Sequence, residues 1–150
     1  RHSHQRRITG TVLAKAENEL QAQRRKIKNV KNFKNLYNLV NSTIRFIPGI
    51  GALAVYDISH RIGAFLNLPP DRVYLHAGAR EGAKCFGFNG ESVSPSAFKP
   101  PLNRMSAADL ENCLCIYKDF LRGRKRRLPG CSPRIKGNPW DCGRPRRLIC

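Results

Sequence analysis

The chain has 150 residues, 41% of them apolar, a mean hydropathy of −0.47, and a formal net charge of +18 from 28 Lys and Arg against 10 Asp and Glu. That length fits one domain with a core and tails, and excludes two full-sized domains. No apolar stretch approaches the ~20 residues a membrane-spanning helix needs, so a soluble chain with no membrane partner is expected.

The charge excess is uneven. Residues 1–34 carry ten basic and two acidic side chains, net +8, and residues 121–150 carry ten and one, net +9, whereas residues 35–120 carry eight and seven, net +1. A nearly neutral centre between two cationic arms suits a polyanion, because each Lys or Arg that meets a phosphate releases condensed counterions without reading sequence. A basic surface that serves only solubility, or attraction to anionic lipid, is the blander reading. Arg1 rather than Met opens the sequence, which leaves a processed product, an excised fragment or a removed signal peptide open.

Residues 1–10 read as a basic arm, 11–122 as a helical domain and 123–150 as a basic tail. From Thr11 to about Asn29, Leu13, Ala16, Leu20, Ile27 and Val30 recur at helical spacing opposite a wet face of Lys15, Glu19 and Lys26. A second helix is predicted from Phe33, Leu36, Tyr37, Val40 and Ile44, with Asn29, Asn32, Asn35, Asn38 and Asn41 as a solvated stripe; Asn forms helix poorly, so packing must hold it. After Phe46-Ile47-Pro48-Gly49-Ile50-Gly51, a third helix presents Leu53, Ala54, Ile58, Ile62 and Phe65, and Leu68-Pro69-Pro70 stops it near Asn67. Asp71 to Cys85 is expected to form a further helix that buries Val73, Leu75, Ala79 and Ala83 and ends at Phe86-Gly87. Residues 88–104, rich in Gly, Ser, Asn and Pro, are expected to be a loop. In the last helix Ser106 is a natural N-cap with Asp109 three residues on; Leu110, Leu114, Tyr117 and Leu121 mark one face, and Gly123 supplies the stop. Arg124-Lys125-Arg126-Arg127 then opens a tail of Pro, Gly and Arg, expected to be poorly structured unless its Cys residues or a partner fix it. The expected fold class is all-α: a small helical domain with basic, poorly structured N- and C-terminal arms.

Ile47-Pro48-Gly49-Ile50-Gly51, set between two helical stretches, resembles the helix-hairpin-helix motif, spelled hydrophobic-P-G-hydrophobic-G. Two glycines permit a tight turn and leave amide groups bare at the start of the second helix, where the positive end of the helix dipole can receive a phosphate oxygen. Ile50 between them is expected to plug the turn into the core. Val73-Tyr74-Leu75-His76 resembles the V-D-T-H segment that follows the hairpin in the DNA-glycosylase branch of that superfamily, and Arg80 lies near a further basic position of that branch. The resemblance spans roughly residues 36–86. It implies backbone contacts to nucleic acid, duplex DNA first, at Pro48, Gly49, Ile50 and Gly51; the charge pattern then makes Arg45, Arg61, Arg80 and Lys84 expected neighbouring contacts and has Arg124, Lys125, Arg126 and Arg127 adding non-specific affinity. It also argues against base excision. Leu53 stands where bifunctional members carry a Lys, Tyr74 replaces the acidic residue of V-D-T-H, and the iron–sulfur spacing C-x6-C-x2-C-x5-C is absent.

Other chemistry is thin. Asp57 and His60, three apart on a predicted helix, share a face and are acid–base candidates, with His76 and Glu81 nearby in sequence. A basic nuclease-type effector or toxin domain could use such parts, yet no H-N-H pattern, P-D-x(n)-E-x-K spacing or dense His cluster accompanies them. Asp57 as a cap or a partner of Arg61, and His60 as a surface residue, explain them without catalysis. Of the six cysteines, Cys113 and Cys115 are two apart on a helix and point to different sides, which disfavours one compact site. Cys131, Cys142 and Cys150, with or without one helical Cys, leave reduced thiols, disulfides and a loose zinc site open, zinc having the least support. No cofactor is otherwise expected. Aromatic residues are not interleaved with basic ones, against a single-strand stacking platform, and Trp140 is expected to pack rather than stack on bases. The expectation is non-enzymatic nucleic-acid binding at an intracellular, nucleic-acid-associated location, with the nuclease-type domain and a protein partner's or ribonucleoprotein interaction module as alternatives.

Overall fold

The computed structural model describes residues 8–123. It is a small all-α domain of helices α1 (Gly10–Ala22), α2 (Arg24–Asn29), α3 (Phe33–Ile44), α4 (Ala52–Phe65), α5 (Ala77–Ala83) and α6 (Ala107–Leu121), with one ribbon of strands β1 (Val73–Tyr74) and β2 (Ser92–Val93).

Two apolar clusters organise it. The first gathers Ala16, Ile27, Leu36, Val40, Ile44, Ile47, Ile50 and Val55 from α1 to α4. The second gathers Val73, Leu75, Ala79, Ala83, Val93, Phe98, Leu110 and Leu114. Fully burying such a side chain stabilises by roughly 1.5–3 kcal/mol, so each cluster is a substantial contribution. Aromatic rings join the halves: Tyr74 of β1 lies 5.5 Å from Phe33, 4.6 Å from Tyr37 and 5.6 Å from Tyr56, centroid to centroid.

Several expectations need correction. The helix expected over 11–29 breaks at Gln23 (φ −93°, ψ 8°), and the bend lets Ala16 and Ile27 both reach the first cluster. The segment 71–85 is not one helix. Val73 and Tyr74 pair antiparallel with Val93 and Ser92, and α5 begins only at Ala77. The buried positions carry both periods, two residues from Val73 to Leu75 and four from Ala79 to Ala83. Arg72 fixes the ribbon by donating from Nε to Ser92 Oγ at 3.0 Å, so residues 88–104 hold a strand and short 3-10 turns rather than loop alone. On α4 the buried positions are Val55, Tyr56, Ser59 and Gly63, while Phe65 is 84% exposed.

Helix ends follow local chemistry. Asn32, one of the asparagine stripe, caps α3 by accepting from the Asn35 amide at 2.9 Å. Ser106 Oγ accepts from the Asp109 amide at 3.1 Å and donates to Asp109 Oδ2 at 2.7 Å, as its position predicts. Asn67 (φ 56°) ends α4 in a Schellman arrangement, in which the Leu68 amide donates to Gly63 O and the Asn67 amide to Ala64 O.

Helices α5 and α6 cross at Gly78 and Gly82. A Cβ at Gly78 would lie 2.5 Å from Cys115 Sγ, and one at Gly82 would lie 2.9 Å from the Leu114 carbonyl carbon. The two glycines, one helical turn apart, let α5 approach the α6 backbone directly.

Candidate nucleic-acid interface

The turn between α3 and α4 is built by two residue types. The Ile50 amide donates to Ile47 O at 3.0 Å, enclosing Pro48 and Gly49 as the two central residues. Gly49 has φ +94°, which a type II turn requires at that position and which a residue with a Cβ rarely adopts. Gly51 differs: at φ −93° and ψ 173° it is extended and is the N-cap residue of α4. The turn therefore needs one glycine for its angle. Gly51 matters for access, since among the described residues a Cβ there would meet nothing within 4 Å beyond its chain neighbours.

Ile47 and Ile50 are each 2% exposed and anchor the turn in the first cluster, while Pro48, Gly49 and Gly51 are exposed. Arg45 Nη1 donates to Ile50 O at 2.9 Å and braces the turn. No side chain among the described residues caps α4, and its first turn holds no acidic residue. Its leading amides, which have no intrahelical acceptor, thus stand at the positive end of the dipole beside an exposed turn.

Charge is divided in the same sense. Residues 8–72 carry ten basic and four acidic side chains, net +6, whereas residues 73–123 carry six and five, net +1. Within the second half several cations are engaged locally: Lys84 Nζ lies 2.8 Å from Glu81 Oε1, and Arg122 Nη1 lies 2.6 Å from Glu81 Oε2. Arg80 donates from Nε to Leu75 O at 2.9 Å. Of the four cations expected beside the turn, Arg45 is there; Arg80 and Lys84 belong to α5 and its junction with α6, and Arg61 lies along α4 facing α1 and α2. Arg124, Lys125, Arg126, Arg127, Cys131, Cys142 and Cys150 lie outside the described residues.

The acid–base candidates converge elsewhere, on Tyr56. Its ring is 4.5 Å from that of His76 and stacks on His60 at 5.8 Å with an interplanar angle of 6°. His76 Nδ1 lies 3.7 Å from Glu111 Oε1, with both side chains buried. Burial, then the nearby negative charge of Asp57, pushes the Glu111 carboxyl up to about 7. The Tyr56 hydroxyl has no hydrogen-bond partner among the described residues, and burial followed by the charges of Glu111 and Asp57 raises its pKa. Glu111 is the member that sequence reasoning missed, because it sits on the apolar face of α6, three residues before Leu114. Its acidic type at a core-facing position was the available signal.

Cys113 and Cys115 are thiols whose pKa burial raises. Among the described residues no group of three or more His, Cys, Asp or Glu side chains is placed to hold a metal ion, and no helix is long and apolar enough to cross a membrane. Comparison of the chain with family models, curated proteins and solved structures returns no match.

Proposed function

We propose that the protein binds the phosphate backbone of nucleic acid, duplex DNA in the first place, through a helix-hairpin-helix element formed by α3, the Pro48–Gly51 turn and α4. The observation that carries this reading is the exposed turn, anchored from beneath by Ile47 and Ile50, that opens onto the uncapped start of α4. Main-chain amides there donate to one phosphate oxygen, and Arg45 stands beside them. The cations of the first half and of the two arms hold the strand close without reading its sequence. The contacts are to backbone, so little base preference is expected.

Catalysis is not part of this reading. His76, one of the acid–base candidates, is 7% exposed and packed between Tyr56 and Glu111, so its imidazole joins the two halves rather than meeting a phosphodiester.

The test is a binding titration against duplex DNA, duplex RNA and single-stranded DNA across a salt series. The reading expects tightest binding to duplex DNA and an affinity that falls steeply with salt. Absence of binding, or binding indifferent to salt, overturns it.

A further inference from the structure

An apolar groove of about 590 Å³ runs between α1 and α2 on one side and α4 on the other. Leu13 and Leu20 of α1 face Ile58, Ile62 and Phe65 of α4 across it. Phe65 is the most exposed large apolar side chain described, at 84%. The rim is charged: Arg24, Lys28 and Arg61 line it against a single acidic residue, Glu17.

The lining runs from Leu13 to Gln21 on α1 and from Ile58 to Phe65 on α4, roughly 10–12 Å at 1.5 Å per residue, which is about two turns of an incoming helix. Ile58, Ile62 and Phe65, at i, i+4 and i+7, lie along one face of α4 and give the groove a continuous apolar wall, against which an amphipathic helix can lay its own apolar face. The cationic rim selects the sign of the flanks. The remaining segments of the chain have the wrong charge, since residues 1–7 carry three basic and no acidic side chains and residues 124–150 carry nine and one. A second copy seated symmetrically brings the same three cations against each other. Phosphate cannot use an apolar floor.

We propose that this groove docks an amphipathic helix of a partner protein, with apolar anchors at i, i+4 and i+7 flanked by Glu and Asp. The site is distinct from the turn at residues 48–51, so the protein can bridge a nucleic acid and an acidic protein helix.

The test uses three synthetic peptides of about 14 residues, roughly four turns. The first carries Leu at i, i+4 and i+7 with Glu flanks; the second replaces each Glu with Lys; the third keeps the Glu residues and replaces each Leu with Ser. Binding is measured by fluorescence anisotropy on the full chain, and located by amide shift perturbation. The first peptide should bind at least about ten-fold tighter than either other one, and Phe65→Ala should weaken it about ten-fold, the effect of truncating an aromatic anchor. Phe65 is so exposed that its truncation leaves the fold intact, which circular dichroism verifies. Gly51→Val should leave peptide binding unchanged, so failure here and failure of the nucleic-acid reading are separable. Equal binding of the first and third peptides means charge attraction alone and overturns the proposal. So do shifts confined to residues outside α1, α2 and α4, an unchanged affinity in Phe65→Ala, or a dimer in sedimentation that Phe65→Ala dissolves.

Discussion

Gly51→Val separates binding from folding. At φ −93° and ψ 173° the backbone already has the extended conformation that Val favours, and the added Cβ meets no atom within 4 Å among the described residues beyond its chain neighbours. The cost to the fold is the poorer N-cap, from a few tenths to about 1 kcal/mol, or a fall in Tm of a few degrees. The isopropyl group instead projects over the amides that would hold a phosphate. Losing one charge-assisted hydrogen bond of about 1.5–3 kcal/mol weakens binding by roughly 10- to 150-fold. A single tail cation is worth less. With a slope of about 0.9 per phosphate neutralised, one such contact contributes roughly five-fold at 0.15 M salt. Fluorescence anisotropy with a labelled duplex at that salt should therefore rank the variants wild type, Arg124→Ala, then Gly51→Val in decreasing affinity, with thermal melts showing both folded. If Gly51→Val binds as wild type does, or loses less than Arg124→Ala, the main-chain site at the turn is refuted.

Two further predictions concern the framework. Gly82→Ala should lower stability by about 1–2 kcal/mol, because overpacking against the Leu114 carbonyl, at the upper end of about 1–3 kcal/mol, outweighs the ~1 kcal/mol that Ala gains over Gly in a helix; an unchanged or raised Tm in this variant would show that α5 and α6 can separate without cost. Glu111 gives a pH dependence of definite sign. Its folded-state pKa, about 7, lies above the ordinary 4.5, so the native state binds the extra proton between those values and this group's contribution is lost as pH rises from 4.5 through about 7. Glu111→Gln should flatten that part of the profile, and equal slopes of denaturant stability against pH for variant and wild type would contradict it.

Much of the framework was legible because it is local. The Ser106 cap, the Gly123 stop (φ +69°), the core faces of α3 and α6 and the plug at Ile50 are all written in residues within a few positions of one another. The misreadings arise where distant segments decide. Val73 and Tyr74 are extended because Val93 and Ser92 lie alongside, twenty and eighteen residues later, and no helical or strand period over so short a segment announces that. Apolar residues at 73, 75, 79 and 83 fit a helix nearly as well as a strand followed by a helix. The break at Gln23 carries no Gly or Pro signal. Phe65 fits the helical spacing of α4 yet stands exposed, since periodicity gives a direction on the helix and not what lies opposite. At the turn, P-G-I-G predicted a tight bend plugged by Ile50, but only the dihedral angles distinguish Gly49, needed for its positive φ, from Gly51, whose missing side chain leaves the start of α4 uncovered.

The two components of the proposed interface respond differently to salt, and that difference joins the charge asymmetry to the turn. Side-chain cations release counterions and so set the slope of log K against log salt, whereas a main-chain amide carries no unit charge and contributes an offset. The first half's net +6 and the arms therefore govern how steeply binding falls, and the turn governs what survives at high salt. On this account Gly51→Val gives a line displaced from and parallel to that of wild type, whereas Arg124→Gln with Lys125→Gln gives a line shallower by about 1.8, at 0.9 per lost contact. Because Lys84 and Arg122 are paired with Glu81, Lys84→Gln should leave the slope where it is. A Gly51→Val line that converges with wild type at high salt means that the turn acts through charge alone, and the amide contact is then absent.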